Sequence, residues 1–156
     1  MSEDNGSPES PADVHALLAR IDDAWRQFFA ALDGIPEHRH ELPGIAGDWS
    51  LKDLFGHFAF WDEHALQEIE RALARQPRQD NEWQAMNDAD YAARRDRSLP
   101  EQRSAMHQAH AALVERLAGV AGIDATRIDA AIKPDTYAHY EEHIPDVLAW
   151  RKRMGI

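Results

Sequence analysis

An all-α fold, a four-helix bundle, is what this 156-residue sequence predicts. Three observations lead there. Four long stretches carry apolar residues at the three-and-four spacing of a single helix face. Three of them open on a Ser-x-x-Asp or Ser-x-x-Glu capping signal, and all close at a glycine or shortly before a proline. No segment alternates apolar and polar residues for long enough to read as a strand.

Residues 1 to 9 are polar and turn-rich and are expected to form a disordered tail, ahead of a single domain over residues 10 to 156. The first helix opens at Ser10-Pro11-Ala12-Asp13, with Ser10 as cap, Pro11 at the first helical position and Asp13 completing the box. Val14, Leu17, Leu18, Ile21, Trp25, Phe28, Phe29 and Leu32 follow at helical spacing, and Gly34 ends the run. Ile35 to Trp49 is a long connection. The second helix opens at the box Ser50-Leu51-Lys52-Asp53 and runs to about Arg75, with Leu54, Phe58, Trp61, Ala65, Ile69 and Leu73 as its apolar stripe.

The break at Gln76 to Asp80 is short and leads to a weaker helical stretch, Glu82 to Arg94. Ser98-Leu99-Pro100-Glu101 opens the third major helix, which carries Met106, Ala109, Leu113, Val114 and Leu117 and stops at Gly119. Val120 to Lys133 reads as a second long connection. The last helix runs from about Pro134 to Met154, with Arg151, Lys152 and Arg153 in its final turn, where cations complement the helix dipole. The short break predicts that helices two and three are antiparallel neighbours. The two long connections permit crossovers and an up-up-down-down order.

The net charge is −11, which opposes both a phosphate footprint and an anionic membrane surface, since either needs clustered Lys and Arg. The sequence therefore predicts no nucleic acid and no membrane as partner, and leaves a homodimer open. There is no cysteine, hence no disulfide, no thiolate ligand and no thiol nucleophile of the chain's own. The acidic start, and the lack of any apolar run near the roughly 18 residues of a membrane span, predict a cytoplasmic protein.

Chemistry is most visible in the histidines, of which there are nine. His139 and His143 stand four apart in a helical stretch, so both rings leave one face a turn apart. His57 sits on the apolar stripe of the second helix. Taken alone, a histidine in that position is more often a hydrogen-bonded core residue, and a His-x-x-x-His pair arises by chance about as often as it binds metal. Taken together, three imidazoles from facing helices are how bundles build metal sites, although spacing does not show that these helices face each other. His38 and His40 belong to a proline-bounded loop, His15, His107 and His110 to surface or boundary positions, and His64 is an outsider two turns from His57. Asp53, one turn before His57, is either an acceptor orienting its ring or a member of the capping box alone. Trp61 and Trp83 either line a pocket or, as the more common case, pack in the core.

The run Gly47-Asp48-Trp49-Ser50-Leu51-Lys52-Asp53-Leu54-Phe55-Gly56-His57-Phe58-Ala59-Phe60-Trp61 resembles the Gly-Trp-Ser-x-x-Asp-x-x-x-His-x-x-x-Trp opening of the second helix in the DinB/YfiT-like superfamily. Asp135 to His143, with the later Trp150, resembles its last-helix His-x-x-x-His segment, so the likeness spans nearly the whole chain. It implies a four-helix bundle, an up-up-down-down-like order, and a divalent metal, commonly zinc or nickel, held by His57, His139 and His143. It further implies a thiol-dependent S-transferase or a hydrolase acting on a small electrophile, with a low-molecular-weight thiol as co-reactant in the first case. The alternatives within the superfamily are a non-catalytic binding or resistance protein and a bundle whose metal only clamps helices. One departure stands out. In the mycothiol-dependent maleylpyruvate isomerase the first member of the last-helix pair is a glutamate, and here it is His139, which weakens the transfer of isomerase activity and leaves the metal site intact.

Overall fold

The computed structural model describes residues 13–79, 82–120 and 125–156. The expected tail over residues 1 to 9, and the assignment of Ser10 and Pro11 to the first cap, lie outside them. Among the described residues there are six α-helices and no strand: α1 Val14–Ala31, α2 Leu51–Leu73, α3 Trp83–Arg94, α4 Leu99–Ala118, α5 Ala125–Ile132 and α6 Tyr137–Met154, with one 3-10 turn at Glu37–Arg39. The long ones, α1, α2, α4 and α6, form the bundle. No helix is long and apolar enough to cross a membrane.

Local signals set the helix starts. Asp13 caps α1, its side chain accepting from the Ala16 N–H. At α2 the box is complete, with the Ser50 hydroxyl facing the Asp53 N–H and the Asp53 carboxylate accepting from the Ser50 N–H. At α4 the Ser98 hydroxyl accepts from the Glu101 N–H, while the Glu101 carboxylate bonds that same hydroxyl instead of the Ser98 backbone. Helix α6 begins at Tyr137, later than Pro134, because residues 133–136 form turns, and it ends on Gly155 in the left-handed conformation at φ 69°.

The helix directions correct the expected order. Arg20 pairs with Glu141 near one end of α1, and Arg151 donates to the Ala31 carbonyl at the other, so α1 and α6 are parallel. A Cβ on Gly56 would meet Gln102, and Glu70 pairs with Arg116, so α2 and α4 are also parallel. Trp25 stacks on His110 while Glu37 pairs with Arg103, and His64 bonds Asp135 while His57 meets His139, so α1 opposes α4 and α2 opposes α6. The order is up-down-down-up, not up-up-down-down. The reason is α3: its 12 residues carry the chain back roughly 18 Å at 1.5 Å per residue, so α4 starts at the end where α2 started. The second long connection also differs from expectation. It contains α5, which buries Ala125, Ile128 and Ile132 and packs on α2.

Leu17, Phe28, Phe58, Met106, Leu113, Tyr140 and Trp150 are fully buried between the four long helices. The rings of Phe28 and Phe58 meet edge to face at 4.6 Å and tie α1 to α2, a geometry worth about 0.5–1.5 kcal/mol beyond the area it buries. Phe58 also packs its ring 5.1 Å from His139, so the core ends directly beneath the histidines.

Candidate metal centre

Two opposed helices bring the three predicted histidines together. His57 lies in the second turn of α2, whose start is pinned by the Ser50–Asp53 box. The Asp53 carboxylate accepts from the Ser50 N–H at 2.9 Å and its hydroxyl at 3.0 Å, so it serves the cap and does not orient the His57 ring. His139 and His143 project from α6 a turn apart. The Nε2 atoms of His57 and His139 are 2.8 Å apart, and those of His139 and His143 3.2 Å. One nitrogen from each residue lies within 4.8 Å of the others, and the three could hold a metal ion. Nitrogens on a tetrahedral ion at about 2.0–2.1 Å stand roughly 3.3 Å apart, so only small ring movements separate this arrangement from coordination.

The charge state also suits a cation. Burial holds His57 down to about 3, with the neighbouring His143 adding to the effect. Burial lowers His139 well below the usual histidine value, assisted by His57 and His143. Neutral rings keep a lone pair for a ligand. The Nδ1 of His143 donates to the Asp146 carboxylate at 3.0 Å, which fixes the tautomer and leaves Nε2 free. The Nδ1 of His139 feels the Asp135 backbone one turn earlier without reaching full hydrogen-bond geometry.

The triad forms the floor of a cavity of about 450 Å³. Trp49, Trp61 and Trp83 line it, together with Asn87, Arg78, Asp135 and Glu142 at its wall and rim. Trp49 arrives from the connection before α2. A tight turn, Ala46 to Trp49, closes through the Trp49 N–H on the Ala46 carbonyl, with Gly47 at φ 58°, and sets the indole 4.8 Å from the His57 ring. Trp61 is buried and donates its indole N–H to Asn87 at 2.7 Å. Trp83 is not a core residue: it lines the cavity and is 55% exposed. Glu142 lies exposed and reaches the rim. Sequence reasoning missed Arg78, Asn87 and Asp135, whose partners lie far away along the chain.

His64 is no outsider. It is buried, with Nδ1 2.7 Å from Asp135 Oδ2 and Nε2 2.9 Å from the Gln79 carbonyl. Arg78 bonds the other Asp135 oxygen and the Ala131 carbonyl. Burial pushes His64 down, but the Asp135 carboxylate, the Gln79 carbonyl and Glu68 together raise it above the ordinary value. A second buried group lies deeper in the bundle. The Tyr140 hydroxyl donates to Asp62, and His110, stacked on Trp25 at 3.7 Å, lies 3.2 Å from that hydroxyl. Burial raises Asp62 against the pull of His110 and Tyr140, and raises Tyr140 further because Asp62 faces it. His15, His38 and His107 are exposed and His40 is half-buried beside Arg103, away from the triad.

Residues 18–127 match the family described as "Mycothiol maleylpyruvate isomerase N-terminal domain". The match stops before α6 and so includes His57 but neither His139 nor His143. Among solved structures, the chain is similar to an uncharacterised protein from Escherichia coli UTI89, at a TM-score of 0.73 and 16% identity over 96% of this chain and 99% of that one. It is also similar to the Sibling Lethal Factor precursor DfsB, at 0.68 and 14% over 91% and 96%. At these identities the likeness shows the fold. No curated protein matches the chain.

Proposed function

We propose, because the chain belongs to the mycothiol maleylpyruvate isomerase N-terminal domain family and with it to the DinB/YfiT-like superfamily, that it is a metal-dependent enzyme joining an external thiol to a small electrophilic molecule. His57, His139 and His143 hold one divalent cation, zinc or nickel, both of which imidazole suits. Bound there, the cation supplies the Lewis acidity that favours the anion of a thiol or of water near neutral pH.

The remaining roles fall to the chain. The neutral, buried rings of His57 and His139 present lone pairs in place of protons. Asp146 holds His143 in register. Trp49 and Trp61 wall the site against water, and the cavity above the nitrogens leaves one direction open for a reactant. The protein has no cysteine, so the thiol comes from solution, in keeping with a family whose description names one. The single observation that carries this reading is the convergence of three Nε2 atoms on the floor of an open cavity.

The test begins with elemental analysis of protein purified without an affinity tag, with close to one metal per chain as the expected result. Mycothiol, bacillithiol and glutathione are then each offered with electrophilic substrates, with and without the metal. Product that requires both thiol and metal supports the reading. Product without thiol makes the protein a hydrolase. Tight ligand binding without turnover makes it a sequestering protein, and a fourth protein ligand closing the coordination sphere makes the metal structural.

A further inference from the structure

Trp83 is the anomaly of the cavity. Tryptophan is highly buried on average, and of the other two indoles of the cavity Trp61 is buried and Trp49 half-buried. Trp61 is buried and tied to Asn87. Trp49 lies nearly parallel to Tyr91, 12° between planes with centroids 5.4 Å apart, and turns an edge to His57. Trp83, at the start of α3, keeps more than half of its surface open and has no ring partner among the described residues. A lone exposed aromatic on a convex surface needs no explanation. This one lines the cavity above the three nitrogens.

The polar wall narrows the choice of occupant. Arg78 and Asp135 bond each other, Arg78 also holds the Ala131 carbonyl, and the Asn87 carbonyl oxygen accepts from Trp61. Those contacts occupy Arg78, Asp135 and the Asn87 oxygen, and the exposed Glu142 carboxylate at the rim disfavours a multiply anionic ligand. Beside the triad, the open apolar surface is that of the Trp83 indole. Aromatic faces reward flat partners, which stack across their whole area, over puckered ones of equal volume.

We propose that the acceptor taken by this site carries a flat, conjugated or aromatic apolar portion that stacks on Trp83, and that Trp83 sets this preference. The inference rests on the metal-enzyme reading for its location and deepens it by naming the class of electrophile. No chemistry at Trp83 is involved; it is a binding residue.

The test uses two neutral esters of similar length, methyl cinnamate and methyl 3-cyclohexylpropanoate, titrated calorimetrically into zinc-loaded and metal-free protein without thiol. The planar ester should bind about tenfold more tightly than the puckered one, the equivalent of a good stacking contact. Trp83→Ala should remove most of that preference by weakening methyl cinnamate about tenfold, and Trp83→Phe should restore much of it. Because the side chain is largely exposed, both variants should keep wild-type helical circular dichroism. Equal affinity of wild type for the two esters, or an unchanged ratio in Trp83→Ala, overturns the proposal. Zinc content measured on the same samples separates the two readings. Stoichiometric zinc without a planar preference sinks the slot alone, and a planar preference in protein that binds no zinc keeps the slot and sinks the metal enzyme.

Discussion

His57 and His64 stand two turns apart on one helix, each less than a tenth exposed, and the protein treats them in opposite ways. His57 faces two more imidazoles and no carboxylate, so burial decides and its ring stays neutral down to about 3. His64 faces Asp135, the Gln79 carbonyl and Glu68, and these outweigh burial and raise it. Both ring nitrogens of His64 point at acceptors. Asp135 also takes Arg78, and acceptors at both ring nitrogens favour the protonated form of His64. The same residue thus becomes a lone-pair donor in one place and a hydrogen-bonded clamp with a raised pKa in the other. The clamp joins α2, the segment before α3 and the turn before α6. It therefore braces the wall of the cavity whose floor is the triad.

The sharpest way to break this contrast is to delete each histidine. His57→Ala or His143→Ala should cost at least about a hundredfold in metal affinity, more than loss of a supporting group does, with helical circular dichroism preserved. Stoichiometric metal in either variant strikes that residue from the ligand set. His64→Ala should keep its metal and lose stability instead. Asp135→Asn comes next. It leaves the buried His64 and the partly buried Arg78 without their shared carboxylate, and breaking a buried pair in this way costs about 3 kcal/mol. Urea titration measures it, and a change under 1 kcal/mol would show that the clamp holds nothing together.

Acidity sharpens the comparison in the metal-free protein. In the unfolded chain both histidines titrate near 6.5. His57, lowered when folded, contributes stability that is present above that value and lost as pH falls from 6.5 toward 3. His64, raised when folded, contributes stability that is fully present below 6.5 and lost as pH rises through its folded value. The two limbs slope in opposite senses, each by at most about 1.4 kcal/mol per pH unit. Subtracting the stability profile of His64→Asn from that of wild type should therefore leave a difference that shrinks on the alkaline side. The same subtraction for His57→Asn should leave one confined to the acid side. Parallel profiles for wild type and both variants would contradict the assignment. With metal present, protons compete for the ligands, and metal should leave below about pH 6.

How far the sequence reveals these two environments follows from the range of the interactions involved. Caps are local, and the Ser50–Asp53 box is legible because all its atoms lie within four residues. The His139/His143 pair is legible for the same reason, through helix period alone. His57 is visible as a polar residue on an apolar stripe and through the resemblance of its flanking motif. His64 on its own stripe looks no different, because Asp135 and Gln79, which give it its character, lie 71 and 15 residues away. The helix directions were hidden by α3, which reads as a weak helix and not as the element that returns the chain to its starting end. For Trp83 the sequence leaves pocket lining and core packing open, with the core as the more common case. Its exposure follows from α3 lying outside the bundle, which no periodicity reports.

The smallest effect belongs to Asp146, and it separates orientation from charge at the triad. Its carboxylate sits 3.0 Å from His143 Nδ1, and its side chain is 44% exposed, so solvent screens much of its field. If it works by holding the ring, Asp146→Asn keeps an oxygen acceptor at the same place and should lower metal affinity only severalfold. Asp146→Ala, which frees the ring to rotate, should approach the tenfold loss typical of a missing supporting hydrogen bond. If it works instead through its charge, the two variants should weaken metal equally, and raising salt should abolish the difference from wild type. A competition titration against a chromogenic chelator resolves effects of this size. Folding stability should stay within about 0.5 kcal/mol throughout, as for other exposed positions, in contrast with Asp135, where the same Asp→Asn change reaches a carboxylate that water does not.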